Sequence, residues 1–184
     1  MIEFKEHNGR VYMIIIDAKL LSMPFRNFEG RTSEYNATGE KEFGVVIEDS
    51  ELAQQMAADN WTVKTITNRD GKDYLYGIKV DGEDLHWVKI KVKYRDNKGN
   101  PTIPPKVLIR TANNEIEYEE DDLRSLDTAD LMDVDLRINI RRKTANGKTY
   151  TTGYLNTMKA TLLDDSFWFG TRQAQNPNEP PFTM

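Results

Sequence analysis

Between Phe25 and Ile47 the stretch FRNFEGRTSEYNATGEKEFGVVI sets rings among cations: Phe28 and Tyr35 interleave with Arg26, Arg31 and Lys41 in a segment broken by glycine and polar residues. A second mixture of this kind is LHWVKIKVKY. There, period-two geometry places Val88, Ile90, Val92 and Tyr94 on one strand face and Trp87, Lys89, Lys91 and Lys93 on the other. Lys106 and Arg110 share a face of KVLIRT opposite Val107 and Ile109, and Arg137, Arg141, Arg142, Lys143 and Lys148 gather around Asn146-Gly147 as a flexible basic arm. Cations neutralise phosphates and aromatic rings stack on bases, so these ingredients suit a single nucleic-acid strand bound without sequence readout. The competing reading is structural: rings that pin a long loop, and lysines that keep a sheet face wet or protect an edge. Phe43, in phase with Val45 and Ile47, reads as core, as does Trp61 ahead of Val63, while Phe25 beside Pro24 reads as a loop anchor.

Catalytic chemistry is poorly supplied. The chain has two histidines, His7 and His86, and no cysteine, so a Cys/His zinc site cannot be assembled. Phosphate-loop, GxSxG and HExxH patterns are absent. Asp127, Asp130, Asp133 and Asp135 offer a carboxylate set for Mg²⁺ and hence a nuclease reading, but the spacing lacks the glycine and closing Glu of an EF-hand loop. A solvated acidic surface is the simpler account. No cofactor, metal or catalytic residue is expected.

The net charge of −5 argues against a polyanion partner only as an average. Acids concentrate in Glu115–Asp135, whereas Lys89–Lys106 and Arg137–Lys148 are basic, so a cationic face on an acidic chain is expected. No stretch approaches the ~20 apolar residues of a membrane span. MIEFKEHNGR does not read as a secretory leader, and the lack of cysteine fits a reducing cytoplasm.

Strands are expected over Arg10–Leu20, Glu42–Glu48, Trp61–Thr67, Asp73–Gly82, Leu85–Tyr94, Lys106–Thr111, Asp133–Arg142 and Thr149–Leu163. Asp49-Ser50 starts a short helix through Asn60, Glu119–Leu131 reads as a second helical segment, and Asn146-Gly147 is a hairpin turn. Many strands, two short helices and no βαβ rhythm indicate a mainly β chain. The expected fold is an OB-type antiparallel barrel elaborated with extra strands and a terminal β-hairpin. One nucleic-acid-binding domain over residues 1–169 and a mobile polar, Pro-rich tail over 170–184 complete the organisation.

The blocks FRNFEG, FGVVIEDSELAQQMAADNWTVK, WVKIKVKY, PPKVLIRT, LDTADLMDVDLRINI and GYLNTMKATL, spanning Phe25 to Leu163, together resemble single-stranded DNA-binding proteins from the replication modules of tailed bacteriophages. The resemblance implies an OB-type barrel that coats single-stranded DNA during replication or recombination, without a catalytic residue or cofactor. A cytoplasmic location is expected, that of the host cell for a phage-encoded chain, with phage or host replication proteins and a homo-oligomer as further partners to test; the sequence leaves the oligomeric state open. Some members end in an acidic tail closed by an aromatic residue; NEPPFTM departs from this, which puts tail-mediated recruitment in doubt. A β-sandwich virion or interaction protein is the alternative reading, and the carboxylate-metal nuclease the third.

Overall fold

The computed structural model describes residues 1–163; the expected tail over 170–184 lies outside them. The strands are β1 (Ile2–His7), β2 (Arg10–Ile15), β3 (Arg26–Asn27), β4 (Lys41–Val46), β5 (Lys64–Ile66), β6 (Tyr74–Leu75), β7 (Ile78–Lys79), β8 (Leu85–Val92), β9 (Lys106–Arg110), β10 (Glu115–Tyr118), β11 (Leu131–Ala145) and β12 (Lys148–Leu162). The chain is mainly β, as expected. Ten strands form one sheet along the path β1-β2-β11-β12-β8-β4-β3, with β9 also on β12, β10 on β9 and β5 on β8; β6 and β7 form a separate pair. Among the described residues the path is open, and an OB barrel is itself only partly closed. Two pairings depart from the antiparallel expectation, since β12 runs parallel to both β8 and β9.

Two hairpins frame the sheet. Asn146 and Gly147 have φ of 51° and 73°, the left-handed pair a type I′ turn requires, and β11 and β12 run back along each other over fifteen residues each. Asn8-Gly9 closes β1 onto β2 in the same way, with φ of 49° and 71°. Helix α1 (Ser50–Ala58) is capped by Asp49, whose carboxylate accepts from the Glu51 and Leu52 N–H groups, and it buries Ala53 and Met56. The second expected helix is a 3-10 helix, Glu120–Asp127, that buries Leu123 and Leu126.

Inward residues of the sheet share one core, including Met13, Ile15, Phe43, Val45, Val88, Ile90, Leu136, Ile138 and Leu155, with Trp61 also buried. A smaller cluster of Leu21, Val46, Ile78, Leu85 and Trp87 sits on the opposite face of β4 and β8. The expected strand over 73–82 is instead the β6–β7 hairpin, turned at Tyr76-Gly77 with φ of 46° and 81°, and Ile78 from it covers that second cluster.

Candidate nucleic-acid interface

The Phe25–Ile47 segment is pinned to the body. The Phe28 ring is fully buried and stacks on Phe43 with centroids 4.9 Å apart. The Arg26 guanidinium donates to the carbonyls of Leu20, Leu21, Leu126 and Ala129. Burial lowers its pKa, with Asp127 and Asp130 opposing the shift. Arg31 donates to the Asp127 carboxylate at 3.0 Å and to the Arg26 carbonyl at 2.9 Å. Asp127 in turn accepts from the Phe28 and Glu29 N–H groups. Lys41 reaches the carbonyls of Phe28 and Glu29.

Phe28 is therefore a core residue rather than a stacking platform, and Arg26, Arg31 and Lys41 act as clamps satisfying backbone carbonyls and a buried carboxylate. Asp127, one of the four carboxylates offered for Mg²⁺, is taken up in this lock. No cluster of His, Asp or Glu side chains able to hold a metal forms among the described residues. Tyr35, 91% exposed at the loop tip, is the ring of this segment left open to solvent.

On β8 the expected alternation holds, but exposure at one end does not. Trp87 shares the face of Lys89, Lys91 and Lys93, yet it is 5% exposed, because the second cluster covers it and Phe25 packs edge-on at 5.0 Å. Gly44 makes room for it: a Cβ there would lie 2.9 Å from Trp87 Cε3 and from Leu21 Cδ1. Lys64 Nζ stands 5.2 Å from the indole centroid. Trp87 thus supplies a wall, not a free face, to a cleft of about 360 Å³ shared with Phe25, Tyr35, Lys64 and Lys89.

The three lysines are half-buried and paired. Lys89 bonds Glu42 at 2.8 Å, while Glu40 holds Lys93 at 2.7 Å and Lys91 at 3.1 Å. The Lys93 hydrogen bond lowers the Glu40 pKa; burial opposes the shift and Lys91 adds to it.

The open face lies on the adjoining strands. Register pairs Lys5 with Tyr12, Tyr12 with Asn139, Asn139 with Tyr154, Tyr154 with Lys91 and Lys91 with Glu42, one row across six strands. At roughly 4.8 Å per strand the row spans about 24 Å. Its neighbours along the strands, Met13, Ile138, Leu155, Ile90 and Phe43, all enter the main core, so the row faces outward. Cations lie on its rings: the Arg137 guanidinium is 4.1 Å from the Tyr12 centroid, and Arg141 is 5.1 Å from that of Tyr154. Towards the hairpin, Lys143 pairs in register with the exposed Tyr150, whose ring lies 5.4 Å from Lys148 Nζ. Arg137, Thr157 and Lys106 form a further row, extending the face along β9. Arg110 is exposed at the far end of β9, 3.8 Å from Glu115.

Arg142 points the other way, to Asp59 at 2.7 Å, and so ties the hairpin to the end of α1. The basic arm expected near Asn146-Gly147 is therefore a β-hairpin with Arg141 and Lys143 on the ring-bearing face and Arg142 off it. Tyr12, Tyr150 and Tyr154 were not among the sequence candidates. Their signal was available as alternation with Met13, Ile15, Thr151, Gly153 and Leu155, but their juxtaposition with Arg137, Arg141 and Lys91 depends on strand pairing across the chain.

The sequence matches the family model for the phage ssDNA-binding domain over residues 6–179. No curated protein matches it. Similar solved structures include the single-stranded DNA-binding protein from bacteriophage Enc34 in complex with ssDNA, at 10% identity, TM-score 0.48, covering 88% of this chain and 94% of that one. A C-terminal truncation of that protein matches at 11% identity and TM-score 0.46, covering 88% and 94%.

Proposed function

The chain belongs to the phage ssDNA-binding domain family, and from that premise we propose that it binds single-stranded DNA without reading sequence through the outer face of β2, β11, β12 and β8. The observation that carries this site is the row of Tyr12, Asn139, Tyr154 and Lys91, with Arg137 and Arg141 laid on its rings. Tyr12 and Tyr154, with Tyr150 nearer the hairpin, supply surfaces for bases. Arg137, Arg141, Lys143, Lys148, Lys89, Lys91, Lys93 and Lys106 supply charge for phosphates. A base arriving on a tyrosine meets a guanidinium already in place, so ring and cation act together.

Tyr35 and the cleft beside Lys64 and Lys89 extend this path at its β4 end. Side chains that donate only to phosphates and offer flat rings to any base give affinity without discrimination, as a protein that covers and protects single strands in replication or recombination requires. This role needs no catalysis and belongs in the host cytoplasm, where phage DNA is copied.

The test compares oligo(dT) with duplex of equal length across a salt series. The single strand is expected to bind more tightly, with a log–log salt slope of about −0.7 per phosphate contacted. A flat salt response, or equal affinity for duplex, would remove the proposed face from the account.

A further inference from the structure

β1 ends the sheet and, among the described residues, pairs only with β2. Its free hydrogen-bonding groups follow from its first pair. The Met1 nitrogen donates to the Ile16 carbonyl at 3.0 Å, and the Ile16 N–H returns a bond to the Met1 carbonyl at 2.9 Å. Doubly bonded pairs alternate with unbonded ones in an antiparallel ladder. Glu3, Lys5 and His7 therefore bond to β2, and the N–H and C=O groups of Ile2, Phe4 and Glu6 point out from the edge. Phe4 is 43% exposed there, and Met1, Val11 and Ile16 are exposed apolar neighbours.

We propose that this edge pairs antiparallel with β1 of a second copy of the chain, about a two-fold axis through Phe4. In that register Phe4 faces Phe4 and Ile2 faces Glu6, so all three outward positions exchange both of their hydrogen bonds. Glu3 of each copy then faces Lys5 of the other, at the closer, unbonded positions where opposite charges attract across strands. Sliding by two residues sets Glu3 against Glu3 in one direction and Lys5 against Lys5 in the other, and leaves an outward residue unpaired. Lys5 Nζ already lies 2.9 Å from the Glu3 carboxylate of its own strand, and in this register the two pairs stand antiparallel so that each charge also meets its opposite across the edge, which selects one self-complementary register.

Residues directly opposite in an antiparallel pair project to the same side of the sheet, so the outer faces bearing Tyr12 in the two copies would join into one surface. The pairing itself stands apart from the nucleic-acid reading and is tested without DNA.

The natural chain has no cysteine, so single thiols report the register. Opposed doubly bonded Cα atoms lie about 5.5 Å apart, within the span of a disulfide. Phe4→Cys, oxidised with diamide at roughly 0.1 mM protein, where a micromolar association is nearly saturated, is expected to give a covalent dimer. Glu6→Cys, whose two copies would stand about 14 Å apart, is expected to stay monomeric. In sedimentation, the unmodified chain is expected to dimerise and Glu3→Lys to dissociate. The double variant Glu3→Lys/Lys5→Glu is expected to recover the dimer. Phe4→Pro removes an outward N–H, leaves the bonds to β2 intact, and is expected to be a folded monomer. Equal cross-linking of the two thiol variants, a natural chain that remains monomeric, or a double variant no better than Glu3→Lys would each overturn the proposal.

Discussion

Glu40 sits where a phosphate path over β8 would have to run, and replacing it should strengthen DNA binding at little cost to the fold. Its carboxylate holds Lys93 at 2.7 Å and Lys91 at 3.1 Å, so one anion occupies two of the cations assigned to DNA. The Lys93 hydrogen bond, opposed by burial and helped by Lys91, keeps its pKa below 4.5, and it is charged at neutral pH. Glu40→Gln preserves shape and removes that charge. A phosphate reaching either lysine comes within a few ångströms of the carboxylate, and like charges about 4 Å apart repel by ~1 kcal/mol even at the dielectric of water. The variant should therefore bind oligo(dT) about fivefold more tightly, with a salt slope steeper by up to ~0.7 if one more phosphate is engaged.

Partly exposed pairs of this kind contribute roughly 0–1 kcal/mol, so the melting temperature should fall only slightly. The sign with pH also follows. A depressed folded pKa gives stability that is present above 4.5 and lost as pH falls through the folded value, and the Gln variant should lack that contribution. The assay is anisotropy of a labelled oligo(dT) titrated at several salt concentrations, beside a thermal melt. A folded variant with unchanged or weaker affinity would show that DNA does not pass over Lys91 and Lys93, and the β8 part of the interface would be wrong.

Phe28→Ala and Trp87→Ala should each cost ~3–5 kcal/mol of stability, measured by denaturant unfolding, because both rings are buried. Phe28→Ala should leave the affinity of the folded fraction unchanged. Arg141→Ala should weaken oligonucleotide binding and make the salt slope shallower by about 0.7, whereas Arg142→Ala, which loses only its pair with Asp59, should change neither. Burial, with Glu120 and Glu119, raises the Tyr94 pKa from 10.0 to about 12. The unfolded chain releases that proton first, so stability should fall as pH rises between those values, and Tyr94→Phe should diminish the fall in an alkaline unfolding series.

The strands with strong alternation were legible because period two fixes which residues turn inward whatever the partner. Val88, Ile90 and Val92, and Leu136 and Ile138, face the core as their spacing requires. Asn146-Gly147 marked its hairpin, and Asn8-Gly9 carried the same signal for β1, which the strand pattern alone left out. Alternation does not say what lies above the outward face. Trp87 has the parity of an exposed residue, but strands of two residues, too short to leave a periodic trace, fold over it.

The same limit explains the loop from Phe25. Its cations are spaced like a phosphate site, yet Arg31 meets Asp127 ninety-six residues away, and a carboxylate brought in by tertiary structure decides its role. Tyr12 and Tyr154 show the converse: each is ordinary in its own strand and becomes a candidate only when β11 brings Arg137 and Arg141 alongside.

The most direct test of the account is the affinity of Tyr154→Ala for oligo(dT), measured with its melting temperature. Tyr154 stands at the middle of the row, half-buried, between Asn139 and Lys91 and beneath Arg141. Loss of one stacking surface is predicted to cost ~1–3 kcal/mol of binding, about 5- to 150-fold in Kd, in a protein that remains folded, with a further loss when Tyr12→Ala is added. Wild-type affinity in a folded Tyr12→Ala/Tyr154→Ala variant would contradict the assignment of the β2–β11–β12–β8 face as the DNA-binding surface.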